Sequence, residues 1–172
     1  MAGRIGIVLA GVAALLAIAL TVRSATDVPA APAKATLNYE WSFKDMDGKD
    51  VPLKTYARRP LVINLWATWC GPCRLEMPQL IDLYTKYVER GLMIVGISVD
   101  DPVAKIKPFA REYNVPYPLL VGLDHPEILE ALGYNGGVPM SIFVKADGTI
   151  METVVGIDTT AAMERRILAL FQ

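Results

Sequence analysis

The stretch that most constrains this chain is Leu61-Val62-Ile63-Asn64-Leu65-Trp66, an apolar run that leads within a few residues to Cys70-Gly71-Pro72-Cys73. The run is short and rich in β-formers, as a parallel strand buried on both faces should be. Helix formers follow Cys73, so the local expectation is strand, tight turn, helix. Both cysteines of the 172-residue chain lie in this turn. Cys70 falls at the helix N-terminus, where free N–H groups and the macrodipole favour a thiolate over a thiol. Cys73 is one helical turn further in, within reach of a mixed disulfide formed by Cys70. The pattern points to a dithiol/disulfide pair in which Cys70 is the nucleophile and Cys73 the resolving thiol. Pro72 suits the first turn, where its missing N–H costs nothing, and Gly71 leaves room for a partner's backbone.

The string Trp66-Ala67-Thr68-Trp69-Cys70-Gly71-Pro72-Cys73-Arg74-Leu75-Glu76-Met77-Pro78 resembles the active site of the thioredoxin superfamily. It is most similar to the membrane-anchored thiol-disulfide oxidoreductases of the TlpA/ResA type, and the resemblance runs from about Leu37 to Gln172. It implies an α/β thioredoxin fold: a central mixed sheet flanked by helices, with an N-terminal β-hairpin and a central strand-helix insertion. Pro78 falls where the family's active-site helix carries a kinking proline. Thioredoxins proper keep a buried Asp where this chain has Asn64, and Asn cannot exchange a proton with Cys73. In the ResA-like branch a glutamate at the spacing of Glu76 is an active-site carboxylate, which implies that Glu76 is the general acid/base during resolution by Cys73. The family's cis-proline is expected at Pro139, with the backbone of Val138 pairing with an extended substrate segment. Trp69, Gly71 and Pro72 complete the expected substrate-facing surface.

One domain plus an appendage is the expectation from 172 residues with 53% apolar content. A formal charge of -1 gives no basic field for nucleic acid. Two cysteines are too few for a disulfide framework and lack the second ligand pair of a zinc site, and a single histidine, His125, rules out a multi-histidine metal site. The expected cofactor is therefore none beyond the Cys70-Cys73 disulfide itself.

Residues 1–23 read as a membrane signal. From Ile5 to Val22 no residue is charged, and the segment would span about 27 Å as a helix, enough to cross most of a bilayer core. Its length favours an uncleaved anchor over a signal peptide, with Arg4 as the positive flank. Either way the remainder would be exported into an oxidising compartment, with a bacterial periplasm expected. Residues 24–36, small and proline-containing, read as a tether, and residues 37–172 as the thioredoxin-like domain.

Along the domain, Leu37 to Phe43 alternates loosely and Asp47-Gly48 offers a turn, so a hairpin ending near Val51-Pro52-Leu53 is expected. A helix through Arg90 should bury Met77, Leu80, Ile81, Tyr84 and Val88 and end at Gly91. Leu92 to Val99 reads as a second buried strand. Asp100-Asp101-Pro102 reads as the start of a helix reaching about Tyr113, which Pro108 must bend or interrupt. Tyr117 to Val121 and Asp124 to Leu132 are a short strand and a short helix. Met140 to Val144 and Thr149 to Val155 form a hairpin about Asp147-Gly148, and Thr159 to Phe171 is a closing amphipathic helix.

The expected activity is reduction of disulfides in exported proteins, with a membrane thiol protein as electron donor by analogy with the family. Two rivals use the same residues. A disulfide oxidase or thiol peroxidase is one, although the Pro-x-x-x-Thr/Ser-x-x-Cys setting of a peroxidatic cysteine is absent before Cys70. A redox-inactive module that holds a client, or a copper(I) ion on two thiolates, beside Pro139 is the other.

Overall fold

A computed structural model describes residues 35–172. The expected anchor at residues 5–22 and most of the tether lie outside the described residues. Among those described, no helix is long and apolar enough to cross a membrane.

The strand order in the single sheet is β2 (Asp50–Pro52), β1 (Ser42–Asp45), β5 (Leu119–Val121), β4 (Met93–Ser98), β3 (Leu61–Trp66), β6 (Met140–Val144), β7 (Ile150–Val155). β3 and β4 pair in parallel, as do β4 and β5, whereas β6 runs antiparallel to β3 and the two terminal hairpins are antiparallel. The sheet is thus mixed, as expected. Every residue of β3, β4 and β6 is buried, which is why these segments read as continuous apolar runs. Each large side chain buried there contributes about 1.5–3 kcal/mol.

Register decides what stands beside the cysteines. Asn64, central in β3, is paired with Gly96 of β4 on one side and Ser141 of β6 on the other. Three polar or small positions therefore cross the otherwise apolar centre of the sheet in one row.

Among the described residues four α-helices flank the strands: α1 (Gly71–Tyr87), α2 (Val103–Glu112), α3 (Pro126–Ala131) and α4 (Thr160–Ala169). α1 passes through Pro78 without a break and gives way to a 3-10 turn at Val88–Arg90, closed by Gly91 at φ 98°. Its buried stripe differs from the expected one. Met77 and Leu80 are buried, but Leu83 and Tyr87 take the places assigned to Ile81, Tyr84 and Val88, which are half-buried along the margin. An unbroken helix advances 3.6 residues per turn, so a stripe extrapolated over four turns drifts around the axis. Pro108 sits inside α2, and the helix continues past it.

The first hairpin forms about Asp47-Gly48 with strands shorter than predicted, and the second about Asp147-Gly148 as predicted. Gly48 and Gly148 adopt φ of 81° and 88°, the left-handed conformation these turns require. Leu37 is buried although it lies outside β1. Ala35 and Thr36, assigned to the tether, lie against the start of β7: Thr36 bridges Thr149, and the Ile150 N–H donates to the Ala35 carbonyl at 2.8 Å.

Candidate active site

β3 ends at Trp66, and the chain turns through Ala67-Thr68-Trp69 to place Cys70 at the N-cap of α1. Cys70 and Cys73 form a disulfide. The Cys73 N–H donates to Cys70 Sγ at 3.1 Å. That donor and the helix dipole converge on one sulfur, so when the pair is reduced the negative charge is stabilised on Cys70 rather than on Cys73. Gly71 and Pro72 are exposed, and a methyl group at Gly71 would meet nothing within 4 Å. Cys70 itself is buried, and the open surface beside it is at Gly71 and Pro72.

The Val138-Pro139 peptide is cis. Val138 O stands 3.6 Å from Cys70 Sγ, so the loop before β6 faces that sulfur. Trp69 is 59% exposed, and its indole N–H donates to the two Asp100 carboxylate oxygens at 2.9 and 3.1 Å. The ring is therefore held in a fixed orientation while presenting most of its face to solvent.

Behind the disulfide lies Glu76, 1% exposed and one helical turn beyond Cys73 on the same side of α1. Asn64 Nδ2 donates to Glu76 Oε2 at 3.0 Å and to Ser141 Oγ at 3.1 Å. Burial raises the Glu76 carboxyl from its ordinary 4.5 to about 7, opposed by the Asn64 amide and the Asp158 backbone N–H and reinforced by the Asp158 charge. At neutral pH this side chain is divided between acid and carboxylate, the condition under which a group both takes and returns a proton efficiently. Tyr117 is nearby: burial and the Glu76 charge hold its phenol above the usual range, and its hydroxyl donates to Met77 Sδ at 2.9 Å.

Asp101 corrects the sequence reading. The Asp100-Asp101 pair was expected to cap the following helix, yet the N-cap of α2 is Pro102, without a side-chain hydrogen bond. Asp101 is buried and turns the other way. It accepts from the Thr68 N–H at 2.6 Å, the Thr68 hydroxyl at 2.7 Å and the Ser98 hydroxyl at 2.9 Å. Arg74 Nε donates to the Thr68 carbonyl at 3.0 Å. The turn that delivers Cys70 is thus fastened on both its donor and acceptor sides. No local sequence signal separates Asp101 from Asp100, since its partner Thr68 sits 33 residues away on β3's exit turn. His125 occupies the N-cap position of α3 without a capping bond and meets Phe43 edge-on at 5.5 Å.

The site therefore gathers Cys70, Cys73, Glu76, Val138 and Pro139 into one locus, with Trp69, Gly71 and Pro72 on its surface. Asn64, Ser141 and Asp101 are additional. Asn64 carried a signal, because it stands where thioredoxins keep an acid; Ser141 and Asp101 carried none.

Comparison with known proteins agrees with this chemistry. The model of the AhpC/TSA family matches residues 31–153. A thiol-disulfide oxidoreductase ResA of Bacillus cereus is 32% identical over 120 residues, covering 70% of this chain and 68% of that protein. ResA of Oceanobacillus iheyensis is 35% identical over 121 residues, covering 70% and 62%. Among solved structures, a thioredoxin-family thiol:disulfide interchange protein from Chlorobium tepidum TLS superposes with a TM-score of 0.73 at 26% identity, over 83% of this chain and all of that one. The MTB dsbF structure gives 0.69 at 26% identity, over 77% and 96%. The stretch matched by the family model includes the Cys70-Cys73 pair, the helix it caps and the Val138-Pro139 loop, and on these grounds the chain belongs to the AhpC/TSA family and is a thioredoxin-fold thiol-disulfide oxidoreductase.

Proposed function

We propose that the protein works as a reductant of disulfides in exported proteins. The observation that carries this reading is the buried Glu76, divided between acid and base near pH 7 and one turn from Cys73, behind a disulfide whose outer sulfur faces Val138 O. In the reduced protein the Cys70 thiolate attacks a client disulfide. A Cys70-client bond forms, and the other client sulfur leaves as a thiolate. Cys73 gives its proton to Glu76 and attacks Cys70 Sγ, which expels the second client sulfur as a thiolate. Two electrons pass to the client, the Cys70-Cys73 disulfide forms, and Glu76 returns its proton to a departing thiolate. The next cycle needs an external dithiol donor, for which a membrane protein fits a domain tethered through residues 5–22. The client's extended backbone lies beside Val138 and Pro139, with Trp69, Gly71 and Pro72 as the surrounding surface.

The peroxidase alternative lacks its setting, since Ala67 and Ile63 stand at the offsets where a peroxidatic cysteine needs Thr or Ser and Pro. Direction is tested by the reduction potential of the chain in defined thiol/disulfide buffers. A value near or below roughly -270 mV supports the reductant, and one near roughly -120 mV marks an oxidant and overturns it. The assignment of Cys70 is tested by Cys70→Ser in an insulin reduction assay. Turnover should vanish, and a variant that retains it refutes the mechanism.

A further inference from the structure

Asn64 links two strands to the acid behind the disulfide. Its cross-strand neighbours are Gly96, which has no side chain, and Ser141, two residues after Pro139 on β6. Asn64, Ser141 and Glu76 are all buried. Both Asn64 bonds leave from one atom: Nδ2 gives one hydrogen to Glu76 Oε2 at 3.0 Å and the other to Ser141 Oγ at 3.1 Å. An amide has a donor end and an acceptor end, exchanged by a half-turn about its last bond. Glu76 alone does not choose between them, because its carboxylate accepts from Nδ2 whereas its acid form can donate to Oδ1. Ser141 adds an acceptor that does not titrate. Turned over, the amide would lose both buried bonds at once, and the Ser141 hydroxyl would have to rotate and donate instead.

We propose that Ser141 is a positioning residue for the dithiol chemistry: its hydroxyl holds the Asn64 amide with Nδ2 toward Glu76, so that the site favours the carboxylate that takes a proton from Cys73. The proposal rests on Glu76 being the group that exchanges a proton with Cys73. β6 then serves the site twice: the Val138-Pro139 loop before it faces Cys70, and Ser141 within it acts on the acid through Asn64. Of the titratable groups that act on Glu76, Cys73 lies one turn back on α1, Tyr117 precedes β5 and Asp158 follows β7. β3 and β6 contribute Asn64 and Ser141, which carry no charge. Ser141→Ala leaves one buried amide hydrogen without an acceptor. The donating orientation then loses its advantage, Oδ1 turns toward Glu76, and the acid form gains a partner. The proton affinity of Glu76 rises.

The test is a double-mutant cycle read by carbon-13 carboxyl titration of Glu76 in the full oxidised chain. Ser141→Ala should raise the midpoint by about one pH unit, and Ser141→Thr, which keeps the hydroxyl, should leave it near wild type. Asn64→Leu removes the donor and should raise the midpoint by at least as much. In that background Ser141→Ala should add nothing, because Ser141 acts through Asn64. Asn64→Ala takes its place if Asn64→Leu does not fold. A midpoint that Ser141→Ala leaves unmoved or lowers, or raises equally with and without Asn64, overturns the proposal. The pH profile of mixed-disulfide resolution, measured in parallel, should move with the midpoint. Glu76→Gln distinguishes the two levels of argument. If it abolishes the inflection in the resolution profile while Ser141→Ala leaves the inflection unmoved, this inference alone fails. If it keeps the wild-type profile, the role given to Glu76 fails and this inference falls with it.

Discussion

Glu76→Gln offers a stability measurement whose sign and size both follow from the site. In the unfolded chain Glu76 loses its proton around the ordinary 4.5, whereas in the folded protein it keeps it to about 7. Between those values the folded state binds more protons than the unfolded state, so stability falls as pH rises through the window and levels off above it. At about 1.4 kcal/mol per pH unit, the shift corresponds to about 3 kcal/mol in full, of which about 2.5 kcal/mol is lost between about pH 5 and pH 8. That is a large part of the roughly 5–15 kcal/mol by which domains are typically stable. A glutamine side chain here keeps an acceptor for the Asn64 amide and carries no titratable proton, so the variant lacks this dependence. The assay is urea unfolding of the oxidised full chain at several pH values, with the wild-type minus Glu76→Gln difference plotted against pH. His125 and every other titrating side chain are common to both proteins and cancel. The expected difference moves by about 2.5 kcal/mol in favour of the variant as pH rises from about 5 to 8. A difference that stays flat, or that moves in favour of the wild type, refutes the argument that burial dominates at Glu76.

Asp101→Ala strips three buried donors of their acceptor and should cost about 3 kcal/mol or more in urea unfolding, with slower attack by Cys70 because the Thr68 turn is no longer held. Gly122→Ala would place a methyl group 2.8 Å from the Ser98 backbone oxygen and 3.0 Å from Ile97 Cγ2; backbone cannot yield as a side-chain tip can, so a loss of about 1–3 kcal/mol is expected by the same measurement. Trp69→Ala removes an exposed ring, so stability should change by less than about 1 kcal/mol while KM for a disulfide-bearing protein rises; an unchanged KM would remove Trp69 from the client surface.

How much of this was legible follows from where each interaction lies along the chain. The strand Leu61–Trp66, the cysteine turn and the helix after it are local, and each is encoded by composition and spacing within a few residues. The Asp147-Gly148 hairpin is legible for the same reason, because the turn demands a glycine at positive φ. Met140–Val144 could be bounded to the residue because Pro139 sets its start. The first hairpin was placed correctly but its strands were not, since the Leu37 N–H donates to the Gly148 carbonyl, far along the chain, rather than within the hairpin.

By itself the sequence determined that this chain carries a dithiol at a helix start, Cys70 in front and Cys73 behind, because both the helix dipole and the reach between the sulfurs depend only on neighbouring residues. What only the tertiary structure decided is the company those sulfurs keep. Asn64 meets Ser141 through a sheet register 77 residues apart, Asp101 reaches back to Thr68 across 33, and the Asp158 charge acts on Glu76 from the far end of the chain. A carboxyl's proton affinity is set by burial and by the charges and donors that surround it in space. Residue order does not record that environment until the strands have paired and the helices have packed.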